Sequence, residues 1–313
     1  MRALVTGATG FVGGHLVSYL RQKGFEIWAS FHKRKKKFPF RVNWVPADLT
    51  RFDQVLHLVE KSRPDYVFHL AAKARPLLSW KGPEITLRTN VSSSIFLLEG
   101  MLRFAPKARG LFVSTGQVYG SSFFEKSRLD ELETASPMAP YSGSKLLMEI
   151  AALNYVKVYG LDIVIARSFN SIGPGQDAGF VFPDFCRQVA RIEAGKTEPF
   201  IHVRNENIVR DFLHVEDAAR AYLLLAKRGK KGNVYNVGWG SGTRLKDILN
   251  FLRKESRVPF QIKTVDPTQN KESIPCAVSN PSKLRKLGWK PQRTIWEGLS
   301  EVLAEWREKV ESR

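Results

Sequence analysis

Short apolar runs rich in β-branched residues alternate along the chain with longer amphipathic stretches. RALVT (2–6), EIWAS (26–30), VNWVPA (42–47), DYVFHLA (65–71), GLFVST (110–115) and LDIVIAR (161–167) have the near-continuous hydrophobicity of strands buried on both faces. Between them FVGGHLVSYLRQ (11–22), RFDQVLHLVEK (51–61), the stretch 85–104 and YSGSKLLMEIAALNYVKVYG (141–160) repeat their apolar positions at helical spacing. Strand alternating with helix predicts an α/β fold built on a doubly wound parallel sheet. Beyond residue 168 the alternation fails, and NSIGPGQDAGFVFP (170–183) is rich in Gly and Pro. This later part is expected to place loops and a few helices over the strand ends, where open sheets of this kind bind ligands.

Composition narrows the class. With 313 residues and 43% hydrophobic content, the chain can bury one large core or two modest ones. No apolar run reaches the roughly 18 residues needed to span a bilayer, and MRALVTGATG does not resemble a signal peptide. Cys186 and Cys276 are too few for a disulfide framework or a cysteine-based zinc site, so a reducing cytoplasm is the expected setting and no metal is expected. The net charge of +19 fits either a solvated basic surface or a specific electrostatic role. Its densest run is HKRKKK (32–37). The basic residues do not interleave with aromatics as in a base-stacking platform. Neither a specific nucleic-acid partner nor a membrane is therefore expected.

TGATGFVGG (6–14) follows the first strand directly and opens a helix. Gly7, Gly10 and Gly13 permit a tight turn, a close approach of backbone to a pyrophosphate, and close helix–strand packing. This predicts a dinucleotide site formed by Gly7, Thr9, Gly10, Phe11, Val12 and Gly13, with Leu70, Ala71 and Ala72 at the end of the fourth strand beside it. An NAD site usually carries an acid at the end of the second strand. From Ile27 to Ala47 there is none, and the strand runs out through Ser30, Phe31, His32, Lys33 and Arg34. A hydroxyl and several cations suit a 2′-phosphate, so NADP(H) is favoured, with NAD(H) as the second choice. Asp48 in ADLT, next to Leu49, either accepts from the adenine amine or caps the following helix. The expected division is a dinucleotide-binding domain of 1–168 with about 207–238, and a smaller mixed α/β part of about 169–206 with 239–313.

SPMAPYSGSK (136–145) puts Tyr141 and Lys145 one helical turn apart after Pro137 and Pro140. Spacing alone fits a surface tyrosine covering a lysine stem. Taken with the glycine turn and with LFVSTGQVYG (111–120) at a strand end, the chain resembles, over nearly its whole length, the extended short-chain dehydrogenase/reductases that act on nucleotide sugars. That resemblance implies a Rossmann-type sheet, a Thr115–Tyr141–Lys145 triad and a homodimer. Tyr141 is implied as the proton donor or acceptor, and Lys145 as its partner and the holder of the nicotinamide ribose. A neighbouring ammonium and the nicotinamide charge are expected to lower the phenol pKa from its usual value near 10.

Relatives of this kind include epimerases, 4,6-dehydratases, decarboxylases and reductases. The similar dehydratases carry an acid two positions beyond the threonine, where this chain has Gly116 and then Gln117, and an amide is no general base. GPGQ (173–176), VFPDFCRQ (181–188) and RDF (210–212) are similar to GDP-4-dehydro-6-deoxy-D-mannose reductases. That likeness implies NADPH-dependent reduction of a GDP-linked 4-keto-6-deoxy sugar, with Thr115, Gly116, Asn170 and Arg210 at the substrate. Arg210 would pair with the diphosphate; the plain alternative is an ion pair with Asp211. NKESIPCAVSN (270–280) departs from the subfamily, with Asn270, Ser273 and Asn280 in place of an arginine and two aspartates. Lys271 and Glu272 are the candidates to take over. The alternative activity is a UDP-hexose 4-epimerase with tightly held NAD.

Overall fold

The computed structural model describes residues 1–264 and 274–312. Seven parallel strands form the main sheet, in the order Val234–Val237, Asp162–Ser168, Arg109–Thr115, Tyr66–His69, Arg2–Thr6, Glu26–Phe31 and Asn43–Pro46. Parallel strands bury both faces, which is why each reads as an unbroken apolar run. Leu16, Val17 and Leu20 of the helix Phe11–Gln22 pack on one face beside Ala218, Tyr222 and Leu225 of Val215–Arg228. Val55, Leu58, Leu97, Leu98, Met101 and Met148, from Phe52–Ser62, Ser93–Phe104 and Pro140–Tyr159, cover the other.

Register decides where chemistry collects. Thr6 lies opposite His69 and Thr115 opposite Ser168, so their carboxyl ends form one edge. The long helix Pro140–Tyr159 starts at that edge with Pro140 in its first turn and stops at Gly160, whose φ of 72° is left-handed. The helical stretch expected over 85–104 is Pro83–Leu87 and Ser93–Phe104, joined by a wider π-helical turn at Arg88–Ser92.

The later part carries more strand than its sequence suggests. Gly242–Arg244, Val209–His214, Cys276–Ser279 and Arg128–Leu129 lie side by side, and Asn170–Ile172 also pairs with Val209–His214. Phe200–Val203 pairs with Gln261–Thr264. Strands of two to six residues are too short to show alternation, which hides them from a periodicity reading. Their core joins Phe182, Phe185, Phe212, Ile248, Leu252, Leu299 and Val302. Within 207–238, Val209–His214 belongs to this second sheet, while Val215–Arg228 and Val234–Val237 lie with the first. No helix among the described residues is long and apolar enough to cross a membrane.

Candidate active site

The glycine turn is built by backbone contact. Gly7 has a φ of 75°, and a Cβ there would fall 2.7 Å from the Ala71 amide nitrogen. A Cβ on Gly13 would stand 2.1 Å from the Gly7 carbonyl oxygen. The turn and the first helical turn thus touch with no room for a side chain. Gly10 precedes the helix in extended conformation, and no side chain caps it. The first amides of the helix, from Phe11, Val12 and Gly13, therefore make an anion site at the sheet edge, with Thr9 beside them. The cradle fits a dinucleotide pyrophosphate. Beneath it Thr6 Oγ1 lies 2.8 Å from His69 Nδ1, and His69 Nε2 lies 2.9 Å from Ser94 Oγ. Burial, assisted by the charge of Lys145, pulls the His69 pKa down to about 3, so the ring is neutral. Sequence reading missed this relay, because nothing in a strand pattern marks one inward histidine as different.

Ser30 is buried near the end of the second strand, whereas His32, Lys33 and Arg34 are exposed beyond it. His32 Nδ1 stands 3.9 Å from Asp48 Oδ2. Asp48 does not cap the next helix, since Arg51 occupies that position. Its Oδ1 instead accepts from the Thr50 hydroxyl at 2.7 Å and the Thr50 amide at 2.9 Å, and these bonds hold its carboxyl below the usual range. Asp48 and the half-buried Leu49 so form the floor between the second and third strand ends. Leu70, Ala71 and Ala72 follow His69 and are half-buried along the cradle.

Thr115 ends its strand and accepts from the Gln117 amide at 3.2 Å. Tyr141 lies in the first turn of the long helix, only 8% exposed, with its amide 3.3 Å from Ser79 Oγ. Burial pushes its phenol up to about 12, and a hydrogen bond with Thr115 pulls the other way. The expected lowering by the lysine is absent: Lys145 Nζ donates instead to the Val113 carbonyl at 2.7 Å. Burial lowers the ammonium to about 8, partly opposed by Glu149. Glu149, one turn beyond Lys145, is buried and forms a two-pronged pair with Arg167, closest at 2.8 Å. Arg167 also lies over the Tyr119 ring at 4.7 Å. Asn90 ties the loop to the helix by accepting from the Lys73 amide at 2.8 Å and donating to Ser144 Oγ at 2.9 Å.

The second sheet faces the triad. A Cβ on Gly116 would meet the Phe169 ring at 2.7 Å, so only glycine fits there without displacing the ring. Asn170 donates to the Asp211 carbonyl at 3.0 Å. Arg210 and Asp211 do not pair, because neighbours on a strand point to opposite faces. Asp211 is buried and accepts from the amides of Trp239, Gly240 and Ser279. The half-buried Arg210 donates to the Val209 carbonyl at 2.8 Å and has no carboxylate partner among the described residues. Phe182 packs on Phe212 with ring centres 4.2 Å apart, while Phe180 stays at the surface. Glu272, with Asn270, Lys271 and Ser273, lies outside the described residues. Beside the triad a cavity of about 540 Å³ is lined by Lys73, Arg75, Ser79, Lys81 and Thr86 among others. Arg75 bridges its mouth to Asp177 at 2.7 Å.

A seven-stranded parallel sheet with a glycine cradle and a Thr–Tyr–Lys set at its carboxyl edge defines a Rossmann-type dinucleotide site. Residues 3–238 match the model of the NAD dependent epimerase/dehydratase family, and the chain belongs to that family. It is 32% identical to a GDP-6-deoxy-D-mannose reductase of Pseudomonas aeruginosa, over 99% of this chain and 98% of the relative. Among solved structures it resembles RMD of Pseudomonas aeruginosa complexed with NADPH, with a TM-score of 0.84, 30% identity, and 98% and 99% of the two chains covered. It also resembles a UDP-glucose 4-epimerase of Thermotoga maritima with UDP-glucose, with a TM-score of 0.86, 27% identity, and 99% and 100% covered.

Proposed function

We propose that this protein reduces the C4 keto group of GDP-4-dehydro-6-deoxy-D-mannose with NADPH, giving GDP-D-rhamnose. The observation that carries the reading is the buried Tyr141 phenol, which burial raises to about 12 while the Thr115 side chain opposes the rise. A phenol held near 12 is a donor at neutral pH, which is the form a keto reduction needs. The likeness to a GDP-6-deoxy-D-mannose reductase supports the sugar and the base. The absence of any acid from Ile27 to Ala47 supports NADPH over NADH.

When bound, NADPH supplies the hydride that reaches C4. Phe11, Val12 and Gly13 present their amides to the pyrophosphate, and Ser30, His32, Lys33 and Arg34 receive the 2′-phosphate. Asp48 takes the adenine amine and Lys145 the ribose hydroxyls. Thr115 hydrogen-bonds the C4 oxygen as charge develops on it, and Tyr141 gives that oxygen its proton. Arg210, with no carboxylate partner among the described residues, suits the diphosphate of the sugar nucleotide, with Asn170 and Gly116 along the sugar.

The test is loss of NADPH absorbance with freshly generated GDP-4-keto-6-deoxy-mannose. Stoichiometric oxidation to GDP-rhamnose is expected, with kcat lowered about a thousandfold in Tyr141→Phe. No oxidation, together with interconversion of UDP-hexoses without net cofactor change, would replace this reading by the 4-epimerase.

A further inference from the structure

Five of the six residues in HKRKKK are exposed, and Lys36 alone is half-buried. Its side chain turns back from the basic run and lies across the helix Phe11–Gln22 at Gly14. A Cβ at Gly14 would stand 2.2 Å from Lys36 Nζ, 3.0 Å from its Cε and 3.3 Å from its Cδ. Glycine is otherwise a poor choice inside a helix. At this position it leaves a bare strip of helix that the lysine stem fills.

The ammonium ends in a built environment. Burial lowers its pKa, partly opposed by the charge of Glu305. His15, next to Gly14, has its Nε2 2.9 Å from the Pro174 carbonyl, and Glu305 accepts from the Gly175 amide at 2.7 Å. Glu305 also pairs with Lys309 at 2.5 Å. Two residues on, Phe38 stacks on Phe40 and Trp44 at 5.2 and 6.2 Å. The run from His32 is thus fastened on its far side by an apolar stack and a half-buried lysine.

We propose that Lys36 is a positioning residue. Seated on Gly14, it holds Ser30, Lys33 and Arg34 in place to receive a 2′-phosphate without touching the phosphate itself. This rests on the NADPH reading above. Receptor cations on an untethered loop pay their ordering entropy at each binding event, and a fastened loop has already done so.

The test needs no sugar substrate. NADPH and NADH dissociation constants are measured by cofactor fluorescence for wild type, Gly14→Ala, Lys36→Ala and the double variant. Gly14→Ala removes no charge and favours the helix, so its Tm stays level or rises, yet it evicts the lysine. Each single variant is expected to weaken NADPH binding about tenfold and NADH binding less than about twofold. The double variant is expected to be no weaker than either, because both remove one contact. Equal effects on both cofactors, no effect on either, or effects that multiply in the double variant overturn the positioning role while leaving NADPH preference standing. A wild type that binds both cofactors alike overturns the NADPH reading and this inference with it.

Discussion

The two ends of the cleft are made in different ways. At the glycine turn the surface is backbone: Gly7 and Gly13 bring peptide planes to within a side chain's width of each other, and the helix amides are left to face an anion. At the proposed sugar end the groups are single side chains on short strands, with Asn170 on Asn170–Ile172 and Arg210 on Val209–His214. A backbone-made site cannot be altered without disturbing the fold that makes it. A side-chain site can lose one group and keep its shape.

That difference sets the expected size of each perturbation. The largest effect is at Gly13→Ala, where the new Cβ meets the Gly7 carbonyl oxygen rather than a flexible side chain. A loss of about 3 kcal/mol, at the upper end of overpacking costs, is expected in urea unfolding, with NADPH binding lost in parallel. A stable variant that merely binds less cofactor would show the turn to be more pliable than its contacts imply.

Arg210→Ala is the counterpart at the other end. It removes one charged donor, worth about 1.5–3 kcal/mol, so KM for the nucleotide sugar is expected to rise by about ten- to a hundredfold. The NADPH dissociation constant and Tm should hold. If Tm falls as well, Arg210 serves the second sheet rather than the ligand.

The smallest effect is one of pH. Below about 8 Lys145 is an ammonium and can donate; above it the fold has shed the proton. Since kcat/KM for NADPH reports the free enzyme, it is expected to fall about tenfold for each pH unit on the alkaline side. Tyr141, held up to about 12, adds no second limb in that range. An unbent profile to pH 10 would mean that the lysine contributes by its position and not by its charge.

Much of the site was readable because its parts are local. Gly7, Gly10 and Gly13 sit within one turn, Tyr141 and Lys145 are one helical turn apart, and Thr115 is the last residue of an apolar run. Sequence shows that a lysine is near Tyr141 but not how deeply both are buried, and burial raises the phenol. The alternative of an Arg210–Asp211 ion pair failed for a related reason: adjacency in sequence is separation across a strand. The groups that support the triad were invisible. Thr6 and His69 are 63 positions apart, and Glu149 and Arg167 are 18 apart on a helix and the strand after it.

By itself, then, the sequence determined the alternation of strand and helix, the glycine turn that opens the first helix, and which residues carry exchangeable protons or charge. Each of these follows from local geometry, where spacing fixes facing. Only the tertiary structure decided that Lys36 lies on Gly14, that Arg210 faces away from Asp211, and that Tyr141 is a buried acid. Those outcomes depend on which distant surfaces exclude water from a group, and desolvation is a property of the assembled fold.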